Sequence, residues 1–417
     1  MDFGNAELIR EETIMPMATD KNLVSKYFHE FVAQTSPLPF EISVDRAEGS
    51  YIWDSEGKKY LDFISGIAVN NLGHRHPKII KALKEQIEKH LFVMVYGEFS
   101  IKSQANLAAK LCQLLPDPID NVYFTSTGTE AVEGALKLAK RYTGRHKIIS
   151  FKKSYHGSTH GSLSVSGNEY KKFAFRPLLP EVYQIEFNNT EDLDLIDDQT
   201  ACVIMETVQG DAGLRIPNLC FIQALREKCS ECGALLILDE IQVGMGRTGK
   251  LFAFEHYGIV PDILVMGKAL GAGLPLGAFA ASKKIMSSFT QDPVLGHITT
   301  FGGNPLSCAA SLAFLECLMD EKILDSVEEK GKHLESFLDH PEIVEVRRIG
   351  LFFAVEFKDK EAVNKIVLKC RDRGLLSFWF LSCPNAFRLS PPLNISFEEI
   401  KKGGEIIRNC IEEVFKN

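Results

Sequence analysis

LLILDEIQVGMGRTGKL, residues 235–251, opens with four consecutive apolar residues and reaches an acid, Asp239, before its glycines begin. Gly244, four residues, and then Gly249-Lys250 nearly spell a nucleotide phosphate loop. Such a loop requires Ser or Thr after the lysine, because that hydroxyl coordinates Mg²⁺. Leu251 stands there instead. The glycines are also late, since a phosphate loop follows its strand directly and this strand ends in Asp239-Glu240. The stretch therefore reads as a buried strand that delivers a carboxylate to its own carboxyl end.

Outward from it, strand-like and helical runs alternate: NVYFTS, TEAVEGALKLAKRY, HKIISF, TACVIMETV, FIQALREKCSECG, ALLILDE and DILVMGK. Short β-branched runs separated by helices imply parallel strands joined by crossovers, an α/β doubly wound sheet whose ligands bind at the strands' carboxyl ends. Before this region, GSYIWDSEGKKYLDF reads as two strands around a turn at Glu56-Gly57. After it come a helical stretch from about Pro305, the strand LFFAVEF and the segment FRLSPPLNIS. The expected organisation is an N-terminal segment at 1–74, a large central domain at 75–305 and a C-terminal segment at 306–417. The two flanking segments together form a smaller α+β domain.

The 417 residues carry 47 basic and 55 acidic side chains, a formal charge of −8, with no clustered basic stripe, which argues against nucleic acid as a partner. No window reaches the roughly 18 apolar residues of a membrane span, and MDFGNAELIREETIMP lacks the apolar core of a signal peptide. A cytoplasmic location is expected. The ten cysteines are scattered and expected to stay reduced, mostly as small core residues. Cys229 and Cys232 lack a second CxxC or a His pair to complete a zinc site, and the two histidines of GHRHP (73–77) have no evident carboxylate set. No metal site is expected.

Three signals converge on one crevice. Gly128 and Thr129 form a small-residue turn between the strand YFTS and a helix with Val132, Ala135, Leu136 and Ala139 at helical spacing. A helix N-terminus offers free N–H groups and the positive end of a dipole, a cradle for phosphate, although such turns also serve as plain caps. Asp239 ends a buried strand and needs a positive partner or several donors, unless it is merely a solvated strand end. Lys268, 29 residues on, closes DILVMGK and enters the glycine-rich GAGLPLG. A lone lysine is ordinarily a surface amine, but one at the end of an apolar strand is desolvated, which lowers its pKa and makes it a nucleophile for carbonyls. A phosphate cradle, a buried acid and a crevice amine together match the needs of pyridoxal phosphate: the lysine bonds its aldehyde and the acid keeps its ring nitrogen protonated.

FTSTGTEAVEGALKLA, SYHGSTHG, METVQGDAG, LILDEIQVGMGRTGKLFAFEHYGIVPDIL, GKALGAGLPLGA and TTFGGNPLSCA, in that order, resemble the class III, fold type I aminotransferases. The likeness runs from about Phe40 to Pro392 and is nearest to the acetylornithine/ornithine branch. It implies transfer of an amino group between an amino donor and 2-oxoglutarate or glutamate on pyridoxal 5′-phosphate, with Lys268 as the Schiff-base lysine and Asp239 as the partner of the pyridine nitrogen. Gln242 matches the donor to the cofactor's phenolic oxygen, and Thr127, Gly128 and Thr129 match its phosphate site. Tyr155 replaces the family's stacking phenylalanine; His156 beside it and Glu206 of the ExxQG motif join the cofactor's contacts. Thr300 corresponds to a threonine that reaches the phosphate from a neighbouring subunit, which implies a homodimer with shared sites. Arg388 matches the arginine that grips the α-carboxylate of glutamate and 2-oxoglutarate.

Two positions depart from that pattern. Ser158 stands where the family has an arginine for the donor's carboxylate, and Asp211 where the acetylornithine and ornithine enzymes have glutamate. A serine hydroxyl supplies one neutral donor in place of a two-pronged guanidinium. Acetylornithine and 4-aminobutyrate are then expected to be poor donors unless another arginine replaces the lost one. Rival readings are a decarboxylase or aminomutase of the same fold, a cofactor-binding protein without activity, and a nucleotide-binding protein using Gly244–Lys250.

Overall fold

The computed structural model describes residues 21–37 and 39–416. The acidic leader, with its expected lack of a signal core, lies outside the described residues. Fifteen strands form three sheets among the described residues. The central one has seven: β4 (Asn121–Thr125), β5 (Lys147–Phe151), β6 (Val182–Ile185), β7 (Thr200–Glu206), β8 (Leu235–Asp239), β9 (Ile263–Met266) and β10 (Gly277–Ala281). Their spatial order is β4-β10-β9-β8-β7-β5-β6. Every residue of β7, β8 and β9 is buried, as expected of β-branched runs covered on both faces by helices.

The sheet is mostly parallel, with one exception. β10 runs antiparallel to both neighbours, β4 and β9. Its sequence, GAFAA, is poor in strand formers and begins at the last glycine of GAGLPLG. Packing decides the matter: all five of its residues are buried, and Phe279 stacks on Tyr123 of β4 at 4.9 Å between ring centroids.

The flanking segments meet in space. β1 (Val44–Glu48), β2 (Tyr51–Asp54) and β3 (Lys59–Asp62) form an antiparallel meander, and β13 (Leu375–Leu376) adds to it parallel to β3, pairing Leu375 with Leu61. A third, antiparallel sheet holds β11 (Ile343–Ile349), β12 (Phe352–Phe357), β15 (Ala386–Leu389) and β14 (Phe378–Trp379) in that order. The helix Pro305–Asp320 packs on the helices Pro77–Ile87 and Lys102–Leu114, so the chain remains in close contact across the expected boundary at 305. No described helix is long and apolar enough to cross a membrane.

The segment that resembled a phosphate loop is an interior clamp. Residues 243–248 are buried, and Arg247 is wholly so. Its guanidinium donates to the carbonyls of Leu351 and Pro391 and to Oδ1 of Asn71, joining the end of β8 to both flanking segments. At Gly246, with φ +90°, a Cβ would lie 2.6 Å from Leu324. The backbone from Val243 to Thr248 is enclosed by its own neighbours, which argues against the nucleotide reading.

The expectation that GHRHP lacks carboxylates needs correction. His74 Nε2 lies 2.8 Å from Asp62 Oδ2, and His76 sits beside Cys317 and Glu321. These acids arrive from β3 and the Pro305–Asp320 helix region, which local spacing could not reveal. Lys78 already pairs with Glu321 at 2.8 Å. All ten cysteines are free thiols, and Cys229 and Cys232 lie on the helix Leu219–Cys232, the first buried and the second directed at the carbonyl of Ile196.

Candidate active site

Parallel pairing sets two acids side by side. Glu206 ends β7 and Asp239 ends β8, and they are register partners. Lys268 follows the next strand, β9, held with φ +46° in the left-handed region, a conformation that costs a non-glycine residue roughly 1–3 kcal/mol and tends to mark functional sites. Opposite them, the turn after β4 starts the helix Gly128–Thr143, and the SYHGSTHG loop after β5 supplies Tyr155 to Ser158. Together they enclose a cavity of about 260 Å³ walled by Gly128, Thr129, Tyr155, His156, Ser158, Glu206, Asp239, Gln242 and Lys268, among others.

Hydrogen bonds fix each wall. Asp239 accepts from the amide of Ile241 at 3.0 Å and faces Nδ1 of His156 at 2.7 Å. The other ring nitrogen of His156 is buried with no partner among the described residues. Glu206 accepts from the amides of Tyr155 and Gly210 at 2.8 and 3.0 Å. The hydroxyl of Thr129 is tied to Thr159 and Ser162, and Thr127 caps the helix in a reciprocal arrangement with Glu130. That cap engages the amides of Ser126, Thr127 and Glu130. The amides of Gly128 and Thr129 lie in the first helical turn, where no intrahelical acceptor exists. Gly128 and Gly157 keep the wall thin: a Cβ on the first would lie 2.9 Å from Ile241, and on the second 2.4 Å from Thr129 Oγ1.

The electrostatics are those of a desolvated site. Burial pulls the Lys268 amine down to about 8, and Arg388 adds to the fall while Asp239 and Glu206 oppose it. Burial, reinforced by the charge of Asp239, pushes Glu206 up to about 8. Burial thus works against the charged forms of both the carboxyl of Glu206 and the amine of Lys268.

Four of the expected residues stand apart from this wall. Thr127 is used as the helix cap. Thr300 is exposed on a loop. Arg388 is buried and donates from Nη2 to Asp211 Oδ1 at 2.9 Å and from Nε to the carbonyl of Trp379, with its guanidinium 4.4 Å above the Phe380 ring. Asp211 also accepts from the amide of Leu381 and the hydroxyl of Ser382. The arginine expected to grip a substrate carboxylate is thus held by an internal one, whose charge still reaches Lys268. Sequence reasoning did not find Val208, Ile241 and Val243 on the cavity wall; they are apolar residues with no pattern distinct from core.

The Aminotransferase class-III family profile matches residues 32–411. The chain belongs to the class III aminotransferases. Class III relatives cover nearly its whole length: acetylornithine aminotransferase of Methanopyrus kandleri is 40% identical over 387 residues, 92% of this chain and 96% of that one. The [LysW]-aminoadipate semialdehyde/glutamate semialdehyde transaminase of Sulfolobus acidocaldarius is 38% identical over 378 residues, 89% of this chain and 95% of that one. Among solved structures, ornithine aminotransferase from Toxoplasma gondii, whose active site is partly occupied by PLP, is 30% identical with a TM-score of 0.88, covering 95% of each chain. This aminotransferase therefore has the fold type I architecture, and the reading as an enzyme that transfers amino groups holds.

Proposed function

We propose that this enzyme uses pyridoxal 5′-phosphate to move an amino group from an ω-amino donor to 2-oxoglutarate. The observation that carries it is the meeting, in one cavity, of a half-buried amine whose pKa is pulled down to about 8 and a buried carboxylate backed by histidine. The residues present fit the cofactor: an aromatic ring at Tyr155, a carboxylate for a ring nitrogen, unpaired amides at a helix N-terminus, and glycines where a side chain would close the space. When bound, the cofactor supplies an aldehyde and an electron-withdrawing cationic ring.

The chain's own groups do the rest. Lys268, neutral in part at physiological pH, offers its amine to a carbonyl and afterwards serves as the base and acid that carries a proton. Asp239 would keep a proton on the ring nitrogen, and His156 Nδ1, 2.7 Å away, fixes the carboxylate's orientation. Glu206 lies beside Asp239, and burial and the charge of Asp239 raise its pKa. Gly128 and Thr129, with Thr127 capping their helix, would hold the phosphate, Tyr155 would cover the ring, and Gln242 would donate to the phenolic oxygen. The exposed Thr300 completes the phosphate site of a second copy, so the working unit is a homodimer. Arg388 takes the substrate α-carboxylate when Asp211 yields it.

The donor class rests on the relatives' activity toward acetylornithine. A screen of amino donors with 2-oxoglutarate tests the reading: glutamate must form without release of CO₂. Release of CO₂ or a shifted amino group in the product would favour the decarboxylase or aminomutase reading instead.

A further inference from the structure

A second chamber, of about 560 Å³, opens beside the cofactor cavity and shares with it the wall of Tyr155, Gly157 and Ser158. Only a thin wall separates the two spaces at Gly157 and Ser158, and Tyr155, its one bulky member, lies with its hydroxyl 3.4 Å from Ser158 Oγ. Leu163, Ala174, Phe175 and Leu381 give the chamber apolar sides. One ammonium group, that of Lys171, lies on its wall.

The charges around Lys171 are otherwise engaged. Glu169 pairs with Arg176, and Lys172 donates to the carbonyl of Ser164 at 2.9 Å. Asp211 is bound by Arg388 at 2.9 Å and by two further donors. Lys171 itself is half-buried and makes no side-chain hydrogen bond or ion pair with any described residue. Burial lowers its pKa, with Asp211 acting against the fall and Arg388 adding to it. Two cations thus face one carboxylate, and the surplus positive charge sits at the chamber wall. A desolvated cation without a partner is costly, and an arriving anion relieves that cost.

We propose that this chamber seats the far end of the amino donor, and that Lys171 binds a carboxylate there. The donor class is then a chain with an amine at one end, an apolar middle and a carboxylate at the other. This rests on the aminotransferase reading above. It also supplies, from a lysine and not an arginine, the cation that the serine at 158 does not provide.

Hexanoate, which carries one carboxylate and an apolar chain, probes the chamber in the protein free of cofactor. By calorimetry, Lys171→Met weakens hexanoate binding about 10- to 100-fold, the range set by losing a charge-assisted hydrogen bond, while Lys171→Arg stays within a few-fold. In turnover with 2-oxoglutarate on the loaded enzyme, Lys171→Met raises KM for 6-aminohexanoate by a similar factor. Both kcat and the KM for hexylamine stay close to wild type. Absence of hexanoate binding to wild type overturns the proposal. Equal affinity in a folded Lys171→Met, checked by circular dichroism, does so too, as does a KM that rises equally for hexylamine. If hexanoate binding depends on Lys171 but no donor yields glutamate, the chamber stands and the transferase reading falls.

Discussion

The amine of Lys268 can be titrated chemically without any cofactor. With its pKa near 8, about a quarter of the amine is neutral at pH 7.5, against roughly one part in a thousand for an ordinary lysine, an advantage of about 200-fold in reactive form. Replacing Asp239 by Asn keeps the shape but removes the charge that holds this pKa up against burial. The sign is therefore downward, by about one unit for an opposite charge at the edge of contact. The assay exposes the unloaded protein to a small aldehyde and cyanoborohydride between pH 6 and 10 and quantifies modification of the Lys268 peptide by mass spectrometry. Wild type should show a midpoint near 8, and Asp239→Asn one near 7. A wild-type midpoint above 10, or a midpoint that rises in the variant, refutes the claim that burial and the neighbouring carboxylate set this amine.

Loading with pyridoxal phosphate followed by borohydride should leave the covalent label on Lys268, and a label mapped to another lysine removes it from the site. Ser158→Arg should raise kcat/KM for 4-aminobutyrate about tenfold or more by adding a charged donor at the shared wall, and an unchanged value would mean that position 158 does not face the donor's carboxylate. Arg247→Met should lower the urea midpoint by an amount equal to about 3 kcal/mol or more, because three buried acceptors lose their donor at about 1–3 kcal/mol each. Wild-type stability in that variant would show the clamp to be dispensable.

What could be read from the sequence was what short segments encode. Asp239 and Lys268 each close an apolar strand, and a strand end at a crevice is a local property with a spatial consequence. The register that pairs Glu206 with Asp239 was not visible, because it depends on how two strands separated by a helix align. Neither were the partners of Arg388. Its ion pair with Asp211 spans 177 positions and reverses the simple expectation of a free guanidinium. The strand GAFAA escaped notice because its burial, and not its residue preferences, makes it a strand. Lys171 carries no signal in the sequence, because the chamber it lines is closed in part by Leu381 and Ser382, about 210 positions away.

The antiparallel strand has a consequence for the order in which the molecule can be made. β4, whose end carries the Gly128 turn, has β10 as its sole strand partner among the described residues, and β10 begins at Gly277. A chain emerging from the ribosome therefore displays β4 long before anything exists to pair with it, and passes Lys268 before the sheet can close. Pairings of such long sequence separation form slowly, and an unpaired apolar edge is exposed to wrong association meanwhile. Within the sheet, the strand that leads into the Gly128 turn is joined to those that carry Asp239 and Lys268 only through β10, and so only after residue 281 has been synthesised.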